Sequence, residues 1–569
     1  MDLTASPLFT GLRPEAWNNV LGRMRARNYA TGEHICREGD VSDRLYLIES
    51  GVVEVILGEG AAARVIGHLR RGDIFGEMGL LSGEPRSASV LATLPTLALE
   101  LDRAAFAEII NRYPGILLNI SRVLVERQKR SLRSLARPGR NDFVLFMIGR
   151  GTERLAQAII MLCREACPHG VTLIDLSGAL ELDRVAPSGR QAESVLAILD
   201  KMLPSSGPVI TVCYGDQPDL ACLIRYMDRL ALLGAIEDVR TASASCAGSR
   251  RAVEVFLIGA QASSSVGEFR TVRVLDSADG SSNLGWIARH LTRTKLGLAL
   301  GAGGAKGFAH LGVLDVLQRS GYVVDFVAGS SIGGLIGGLM GLGMDADDVG
   351  TQLERVWSPE HVELLTVLSP EGLSAGLERV FETIKDVFGG RMISDLSLPL
   401  RILTADLEEG QPVPLDDWAV REAVRAGLSI PGLTLPYVYG SRRLVDAVCL
   451  TPVPVSFVRD MGADIVVAVN LLSRPALSDW PGEAPPIPAY KKKAAHKVDP
   501  VIETLMMLQI ETSIRNASEA DVVLTPRFPP SSWRDFYLAE QFREAGHDAA
   551  QAELARLSAV ARPVVSTGR

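Results

Sequence analysis

Two successive units of apolar strand, glycine loop and helix restrict the fold of this chain more than any other stretch. The first is "KLGLALGAGGAKGFAHLGVLDVLQRSG" and the second is "VDFVAGSSIGGLIGGLMGLG". Strands that are joined through helices pair in parallel and are buried on both faces, so they are apolar throughout. The later runs "LRILTADL" and "DIVVAVN" continue this pattern. The sequence therefore predicts a parallel α/β sheet in the C-terminal half.

The N-terminal quarter has a different pattern. Short strand-like segments separated by turn glycines fill residues 8–100, as in "RLYLIESGVVEVIL". Such spacing predicts a small β barrel or jelly roll. A helical pattern then runs from Arg103 to about Leu135, and Pro138-Gly139 is expected to end it.

Residues 141–290 carry the weakest pattern. The runs "DFVLFMIG", "GVTLIDLSG", "GPVITVCYG" and "AVEVFLIGA" resemble strands, helical stretches lie between them, and "TASASCAGSRR" is expected to be a loop. We interpret this region as a linking α/β layer with parallel strands. The predicted domains are therefore a β jelly roll with helices at 1–138, a middle α/β layer of open role at 139–292, and an α/β/α domain at 293–569 with its core at about 296–456.

Charge and cysteine usage exclude several classes of protein. The net charge of −8 argues against broad nucleic-acid binding, so no nucleic-acid partner is expected. Seven cysteines occur without a C-x-x-C pair, which predicts reduced thiols and no metal site. The first residues lack a secretory signal, and no apolar run is long enough to span a membrane. We therefore expect a cytoplasmic protein.

A candidate nucleophile lies at the second glycine turn. Gly329-Ser330-Ser331-Ile332-Gly333 matches G-x-S-x-G between a predicted strand and a predicted helix. A sharp strand-to-helix turn lifts the serine hydroxyl out of the sheet and directs the positive end of the helix toward it. The alternative is a tight turn with no chemical role.

The first glycine loop, "GAGGAKG" at 301–307, offers three interpretations. A phosphate-binding P-loop requires Ser or Thr after Lys306, and a dinucleotide fingerprint requires glycine at that position, so both fail. An oxyanion hole requires unobstructed amide N–H groups, which glycines supply. A plain loop before a helix remains the alternative.

The base that would activate Ser331 is less evident. Among the eight histidines only His496 and His547 lie far downstream, one in a lysine-rich segment and one in a polar helix. His310 follows the glycine loop by one helical turn and fits a packing or supporting role. Asp446, in "RRLVDAVCLTPVPV", could accept the proton if it is partly desolvated and within hydrogen-bond reach. A turn aspartate is the alternative.

These three stretches together resemble the patatin-like phospholipase family over about 295–560. The resemblance implies Ser331 as nucleophile, Asp446 as base in a Ser-Asp dyad without histidine, and hydrolysis of phospholipid or lysophospholipid acyl esters without a metal. It also implies that the oxyanion donors are the loop amides Gly301, Gly303, Gly304 and Ala305. Peripheral membrane contact is expected because the substrate would be a lipid. The family usually has glycine after the aspartate, where this chain has Ala447, and alanine costs about 1 kcal/mol or more if positive φ is required there.

A second motif, "GDIFGEMGLLSGEPRSASVLA", lies in the N-terminal quarter. Arg86 could contact a phosphate through two N–H groups, Ser87 could donate to it, and Glu77 could accept from a hydroxyl. The alternative is a β-turn with a surface Arg–Glu pair.

Residues 8–135 resemble a cyclic-nucleotide-binding domain, whose phosphate cassette this motif matches. That resemblance implies Gly76 and Glu77 at the ribose, and Arg86, Ser87 and Ala88 at the cyclic phosphate of cAMP or cGMP. The pairing with a patatin-like module resembles the neuropathy target esterase, or lysophospholipase, branch. Members of that branch can have several such modules and a membrane anchor, whereas the sequence shows one module and no anchor.

Three functions follow from these patterns. The leading hypothesis is a serine esterase with no required cofactor, whose activity is biased by a cyclic nucleotide. The second is a cyclic-nucleotide sensor that binds lipid or a partner without turnover, with Ala447 marking the loss of activity. The third is a transcription regulator, for which residues 172–202 are a faint helix-turn-helix candidate with no basic recognition helix.

Overall fold

A computed structural model describes most of the chain. The described residues are 6–9, 12, 14–58, 64–117, 119–121, 123–124, 142–180, 207–216, 223–224, 227–246, 253–258, 270–275, 280–365, 370–431, 434–472, 499–529 and 531–563. The chain divides into two compact units. One comprises Met1–Arg164 and His169–Ile287, and the other comprises Glu165–Pro168 and Ala288–Arg569. The predicted boundary near residue 138 stays a prediction.

Two antiparallel four-stranded sheets form the start of the first unit. Their strands are β1 (Arg25–Tyr29), β2 (His34–Cys36), β3 (Arg44–Ser50), β4 (Val52–Leu57), β5 (Arg64–Arg70), β6 (Ile74–Phe75), β7 (Ser89–Ala92) and β8 (Thr96–Asp102). The strand orders are β1-β8-β3-β6 and β2-β7-β4-β5. Leu47 and Ile48, which are adjacent on β3, lie in two different apolar clusters because successive side chains point to opposite faces. The predicted jelly roll is confirmed.

Helices cover one side of this jelly roll. They are α1 (Pro14–Leu21), α2 (Glu77–Ser82) and α3 (Arg103–Arg112), with a short 3-10 helix at Pro7–Phe9. The helix expected to run without a break from Arg103 to about Leu135 is interrupted. It ends at Arg112, and Tyr113 takes a non-helical conformation because the next residue is Pro114, which disfavours helical geometry before it. The predicted end at Pro138-Gly139 lies outside the described residues.

The rest of the first unit contains a six-stranded parallel sheet. Its strands are β9 (Phe143–Ile148), β10 (Thr172–Asp175), β11 (Val209–Tyr214), β12 (Arg229–Gly234), β13 (Val253–Ile258) and β14 (Arg270–Leu275), in the order β10-β11-β9-β12-β13-β14. Helices α4 (Glu153–Ala166) and α5 (Ile236–Cys246) connect them. The four predicted strands are confirmed as β9, β10, β11 and β13, while β12 and β14 were not predicted. The expected loop from Thr241 is wrong, since α5 includes residues 241–246.

The second unit is built on one eight-stranded sheet. Its strands are β15 (Leu296–Leu300), β16 (Val324–Ser330), β17 (Leu400–Asp406), β18 (Gln411–Leu415), β19 (Tyr437–Tyr439), β20 (Arg442–Asp446), β21 (Ile465–Val469) and β22 (Val522–Leu524). The order is β19-β20-β17-β16-β15-β21-β22, with β18 paired to β17. Strands β15, β16, β17 and β21 pair in parallel, as predicted, and β22, which was not predicted, joins them in parallel. Strands β18 and β20 are antiparallel to β17.

The helices from Gly280 onward pack on this sheet or on one another, and the first of them begins within the first unit. They are α6 (Gly280–Thr292), α7 (Ala309–Arg319), α8 (Ile332–Gly341), α9 (Ala346–Val356), α10 (Pro359–Leu365), α11 (Pro370–Phe388), α12 (Val420–Gly427), α13 (Val455–Asp460), α14 (Asp499–Ala517) and α15 (Ala539–Val560). Shorter 3-10 helices lie at Gly304–Phe308, Ile393–Asp395, Ala447–Cys449 and Phe536–Leu538. Within the described ranges, every helix is too short or too polar to cross a membrane.

Every residue of α8 is buried. Its glycines permit close approach to the sheet, since a Cβ at Gly333 would lie 2.3 Å from the Leu300 carbonyl oxygen. The glycine-rich sequence therefore places the start of this helix directly against the end of β15.

Candidate active site and nucleotide site

Ser331 lies at a strained turn between β16 and α8. Its φ of 57° falls in the left-handed region, where a serine is uncommon and backbone strain is stored. The neighbouring Gly329 is needed because a Cβ there would lie 2.2 Å from the Gly333 carbonyl oxygen. The side chain of Ser331 is 7% exposed and does not cap α8. The predicted strand–turn–helix context is thus present, and it directs the hydroxyl away from the helix backbone.

Strand register brings Asp446 to this turn. Ser330, the last residue of β16, is opposite Leu403 of β17, and the next β17 residue, Thr404, is opposite Asp446 of β20. Strands β16 and β20 thus end on either side of β17, at the same level of the sheet. The Ser331 hydroxyl donates a hydrogen bond to the Asp446 carboxylate.

Burial tunes the Asp446 carboxyl. The residue is 1% exposed, and desolvation raises its pKa to about 6, although hydrogen bonds from Ser331 and from the Val448 N–H act in the opposite direction. The Asp446 N–H itself donates to the Ser429 carbonyl oxygen at 2.9 Å. Both conditions required of a base, desolvation and contact with the hydroxyl, are therefore met.

Ala447 causes no backbone strain. It begins the 3-10 helix Ala447–Cys449, and its φ is not positive. The expected penalty for replacing glycine at this position does not arise.

The glycine loop follows β15 and packs against the same turn. A Cβ at Gly307 would lie 2.4 Å from Cγ1 of Ile332, the residue after Ser331. Four loop amides have acceptors. Gly301 donates to Val469 at 3.1 Å, Ala302 to Pro452 at 2.9 Å, Ala305 to Trp533 at 2.7 Å, and Lys306 to Gly303 within the loop at 3.3 Å. The amides of Gly303 and Gly304 make no such backbone bond with any residue that the structure describes. These contacts narrow the predicted donor set to Gly303 and Gly304 and count against Gly301 and Ala305.

Of the three histidines considered as candidates, two lie among the described residues. His310 is fully buried and its Nε2 lies 2.9 Å from the Gly301 carbonyl oxygen, and burial lowers its pKa to about 4. His547 is half-exposed and lies beside Asp548 on α15. His496 lies outside the described residues. In the part of the chain that the structure covers, no three His, Cys, Asp or Glu side chains are grouped as a metal site requires.

The predicted phosphate cassette of the jelly roll, in residues 72–92, includes helix α2. Gly76, with a φ of 84°, precedes α2, and Phe75 stacks on Tyr46 with ring centroids 4.6 Å apart. Arg86 is 6% exposed and donates to the carbonyl oxygens of Gly76 at 3.0 Å and Arg44 at 2.7 Å.

Two acceptors thus occupy the outer nitrogens of Arg86, while its buried Nε–H has no acceptor among the described residues. Glu77 is 2% exposed, Ser87 is exposed and Ala88 is half-buried. The structure therefore brings the predicted Gly76 and Arg86 into direct contact. Sequence reasoning missed the roles of Tyr46, Trp533 and Ser429, for which no local motif gives a signal.

Two family models match separate parts of the chain. The model of the cyclic nucleotide-binding domain matches residues 26–113, and the model of the patatin-like phospholipase matches residues 298–458. An uncharacterized NTE family protein of Mycobacterium tuberculosis is 25% identical over 566 residues, covering 96% of this chain and 95% of that protein. Human patatin-like phospholipase domain-containing protein 6 is 26% identical over 522 residues, covering 78% of this chain and 37% of that protein.

Two solved structures are similar to part of the chain. The catabolite activator protein of Thermus thermophilus is 32% identical, with 28% of this chain and 71% of that chain covered and a TM-score of 0.22. The regulatory domain of Toxoplasma gondii PKA with cAMP is 32% identical, with 19% and 41% covered and a TM-score of 0.18. From the two family models and the relatives together, the chain carries a cyclic nucleotide-binding domain followed by a domain of the patatin-like phospholipase family.

Proposed function

We propose that the patatin-like domain hydrolyses acyl esters of phospholipids or lysophospholipids, with Ser331 as nucleophile and Asp446 as general base. The observation that carries this proposal is the hydrogen bond between a strained serine and a buried carboxylate whose pKa is raised to about 6. A base of that pKa is ionised at neutral pH and still able to accept a proton. The second hypothesis, binding without turnover, took Ala447 as its mark, and we favour turnover because Ala447 causes no backbone strain.

The reaction proceeds through an acyl-enzyme. Asp446 takes the hydroxyl proton while Oγ of Ser331 attacks the ester carbonyl carbon, and the carbonyl oxygen becomes an oxyanion. The amides of Gly303 and Gly304 donate to that oxyanion. The ester C–O bond breaks, and the leaving alcohol takes the proton from Asp446. Asp446 then takes a proton from water while the water oxygen attacks the acyl carbon. The bond between that carbon and Oγ of Ser331 breaks, Oγ takes the proton from Asp446, and the fatty acid leaves. No cofactor takes part in these steps.

Contact with a lipid surface belongs to the same proposal. Leu435 is 88% exposed and Val438 is 67% exposed. Both lie between Ser429, which binds the Asp446 backbone, and β20, which ends at Asp446. Apolar side chains this exposed beside a site for acyl esters suit peripheral contact with aggregated lipid from the cytoplasm.

The jelly roll binds a cyclic nucleotide in this proposal, and the bound nucleotide biases hydrolysis. Support comes from Arg86, since a buried donor left without an acceptor costs about 1–3 kcal/mol, and a phosphate oxygen at Nε would remove that cost. Gly76 and Glu77 would lie at the ribose, and Ser87 and Ala88 at the phosphate.

The test of the hydrolase is a comparison of the purified chain with Ser331→Ala on lysophospholipid and phospholipid, with and without cAMP and cGMP. We expect fatty acid release by the unsubstituted chain and none above background by the variant. Ser330→Ala is the matched control, because Ser330 is buried beside Ser331 and has no assigned role. Equal hydrolysis by Ser331→Ala would refute the proposed nucleophile.

A further inference from the structure

The glycine loop is fastened on both sides of its two open amides. On one side, His310 reaches back from the start of α7 to the Gly301 carbonyl oxygen. On the other side, the Ala305 N–H donates to the Trp533 carbonyl oxygen. Gly303 and Gly304 lie between these two points. An extended or left-handed glycine has many accessible conformations, so contacts are needed to keep these peptide planes in one orientation. Lys306 N–H donates to the Gly303 carbonyl oxygen within the loop at 3.3 Å, and contacts from outside the loop add to this constraint.

The proton on His310 is fixed by its partner. A carbonyl oxygen only accepts, so Nε2 must carry the hydrogen, and the ring is then neutral with a bare Nδ1. Nδ1 is buried and has no hydrogen-bond partner in the described part of the chain. Adding a second proton would bury an unpaired donor, so the imidazole is held as a permanent neutral donor to Gly301.

The helix that carries His310 is itself held rigidly. A Cβ at Gly312 of α7 would lie 1.9 Å from the Arg543 carbonyl oxygen of α15. A Cβ at Gly546 of α15 would lie 1.9 Å from the Ala309 carbonyl oxygen of α7. The two helix backbones therefore touch, and α15, like the Trp533 segment, lies beyond the stretch matched by the patatin model.

We propose that His310 is a positioning residue that, together with the Trp533 carbonyl of the C-terminal segment, fixes the glycine-loop amides toward the oxyanion. This inference rests on the proposed hydrolysis by Ser331. His310 acts through the Gly301 peptide, to whose carbonyl oxygen its Nε2–H donates. Loss of its N–H donor would let the Gly303 and Gly304 amides rotate, and the transition state would lose donors that the bound ester does not use.

The experiment compares ester hydrolysis by the full chain with that of His310→Leu, His310→Asn and His310→Gln. Leucine removes the donor, asparagine holds an amide too far back to reach Gly301, and glutamine places an N–H near the Nε2 position. We expect kcat to fall by about 10²-fold in the first two variants, with KM unchanged, and to recover largely with glutamine. If the leucine variant does not fold, the asparagine and glutamine pair carries the comparison.

Leu314→Ala is the matched control, since Leu314 is a buried core residue of the same helix and its side chain has no hydrogen-bond donor for the Gly301 carbonyl. It should lower the melting temperature but leave kcat per folded molecule unchanged. Unchanged kcat in His310→Asn, or an equal kcat loss in Leu314→Ala, overturns the positioning role. Ser331→Ala in the same assay separates the outcomes: if it stays active, the proposed nucleophile is wrong, whatever the His310 variants show.

Discussion

The Ser331 hydroxyl meets the Asp446 carboxylate because strands β16 and β20 end on either side of β17. The contact is enclosed, with both side chains less than a tenth exposed. A carboxylate in such a place is costly to ionise, and that cost makes Asp446 basic enough to accept a proton at neutral pH. Stability and reactivity are therefore opposed at this position.

The first prediction concerns the effect of the Asp446 carboxyl on the stability of the folded chain. Burial raises the pKa of Asp446 from 3.8 to about 6, so the folded chain binds more protons than the unfolded chain between these values, and stability falls as the pH rises through them. Above the folded pKa the ionised group costs about 3 kcal/mol relative to the unfolded chain. Asp446→Asn removes this cost and keeps an acceptor for Val448.

We therefore expect Asp446→Asn to unfold at a higher temperature than the unsubstituted chain at neutral pH, and the difference to vanish in acid. It should also lose ester hydrolysis. Thermal unfolding followed by circular dichroism at several pH values measures the first effect. A variant that is less stable at neutral pH would contradict the assigned desolvation.

The second prediction is the pH dependence of hydrolysis. Because the base must be ionised, kcat/KM should rise with pH through an apparent pKa of about 6 and then level off. The measurement uses a soluble ester whose own ionisation does not change over this range. Unfolding curves recorded at each pH confirm that the chain stays folded. A rate that is flat through this range would show that Asp446 does not control the reaction.

The proposed nucleophile and base could be named from the sequence, whereas the contacts that support them could not. The G-x-S-x-G pattern marks Ser331 by itself, while Asp446 was assigned as base through the resemblance of its surrounding stretch to a known family. The contact between Ala305 and Trp533 joins residues far apart in the chain through a backbone carbonyl, for which no side-chain pattern exists. The antiparallel β20 was also beyond prediction, since a five-residue strand with two leading arginines has no clear alternation.

Two errors in the first unit have identifiable causes. The expected loop from Thr241 belongs to α5, where Val239, Ala242 and Cys246 are buried at helical spacing. The helical period was not evident in the sequence because its apolar residues are small and alternate with serines. Strand β14, "RTVRVL", escaped because charged residues interrupt its apolar run. In α5, burial of one helix face rather than composition decided the structure.

The third prediction tests the contact of the glycine loop with the C-terminal segment. Gly304 has a φ of +58°, and a Cβ there would lie 2.5 Å from the Trp533 carbonyl oxygen. Gly389 has the same φ, but nothing lies within 4 Å of its Cβ position. Alanine at either site incurs a backbone cost of about 1 kcal/mol, and only Gly304→Ala also displaces the loop.

We expect Gly389→Ala to be slightly destabilised with normal kinetics. Gly304→Ala should lose more stability and about 10²-fold in kcat, as expected when reacting groups are misplaced. Chemical denaturation and steady-state ester hydrolysis provide the two measurements. Equal behaviour of the two alanine variants would mean that the Trp533 contact does not shape the loop.

The fourth prediction concerns lipid contact. The double variant Leu435→Ser, Val438→Ser removes two exposed apolar side chains beside β20 without touching the core. Because burying one such side chain contributes about 1.5–3 kcal/mol, the apparent KM on phospholipid vesicles should rise about tenfold or more. Hydrolysis of a monomeric ester should not change.

Val323→Ser serves as the matched control for this variant. Val323 is 42% exposed and precedes β16, at the end of the strand opposite Ser331. Its vesicle kinetics should equal those of the unsubstituted chain. If Val323→Ser and the double variant behave alike, the Leu435 and Val438 side chains do not form the lipid contact.

The last prediction concerns the jelly roll, where Arg86 has both a structural and a proposed binding contact. Its two outer nitrogens donate to Gly76 and Arg44, and only Nε lacks an acceptor. Arg86→Lys keeps a positive charge but has a single ammonium in place of the planar fork. It should therefore lower the melting temperature of the free chain and also weaken cAMP or cGMP binding. Ser87→Ala, an exposed position, should leave the melting temperature unchanged and weaken binding alone.

Calorimetric titration of each variant with cAMP and cGMP separates the two effects. A loss of about 1–3 kcal/mol of binding free energy is expected for Arg86→Lys, the range of one charge-assisted hydrogen bond. Arg23→Ala, whose side chain pairs with Glu108 away from the cassette, is a control for surface charge. If Arg86→Lys binds as tightly as the unsubstituted chain, the vacant Nε does not face a phosphate, and the arginine acts only to hold Gly76 against β3.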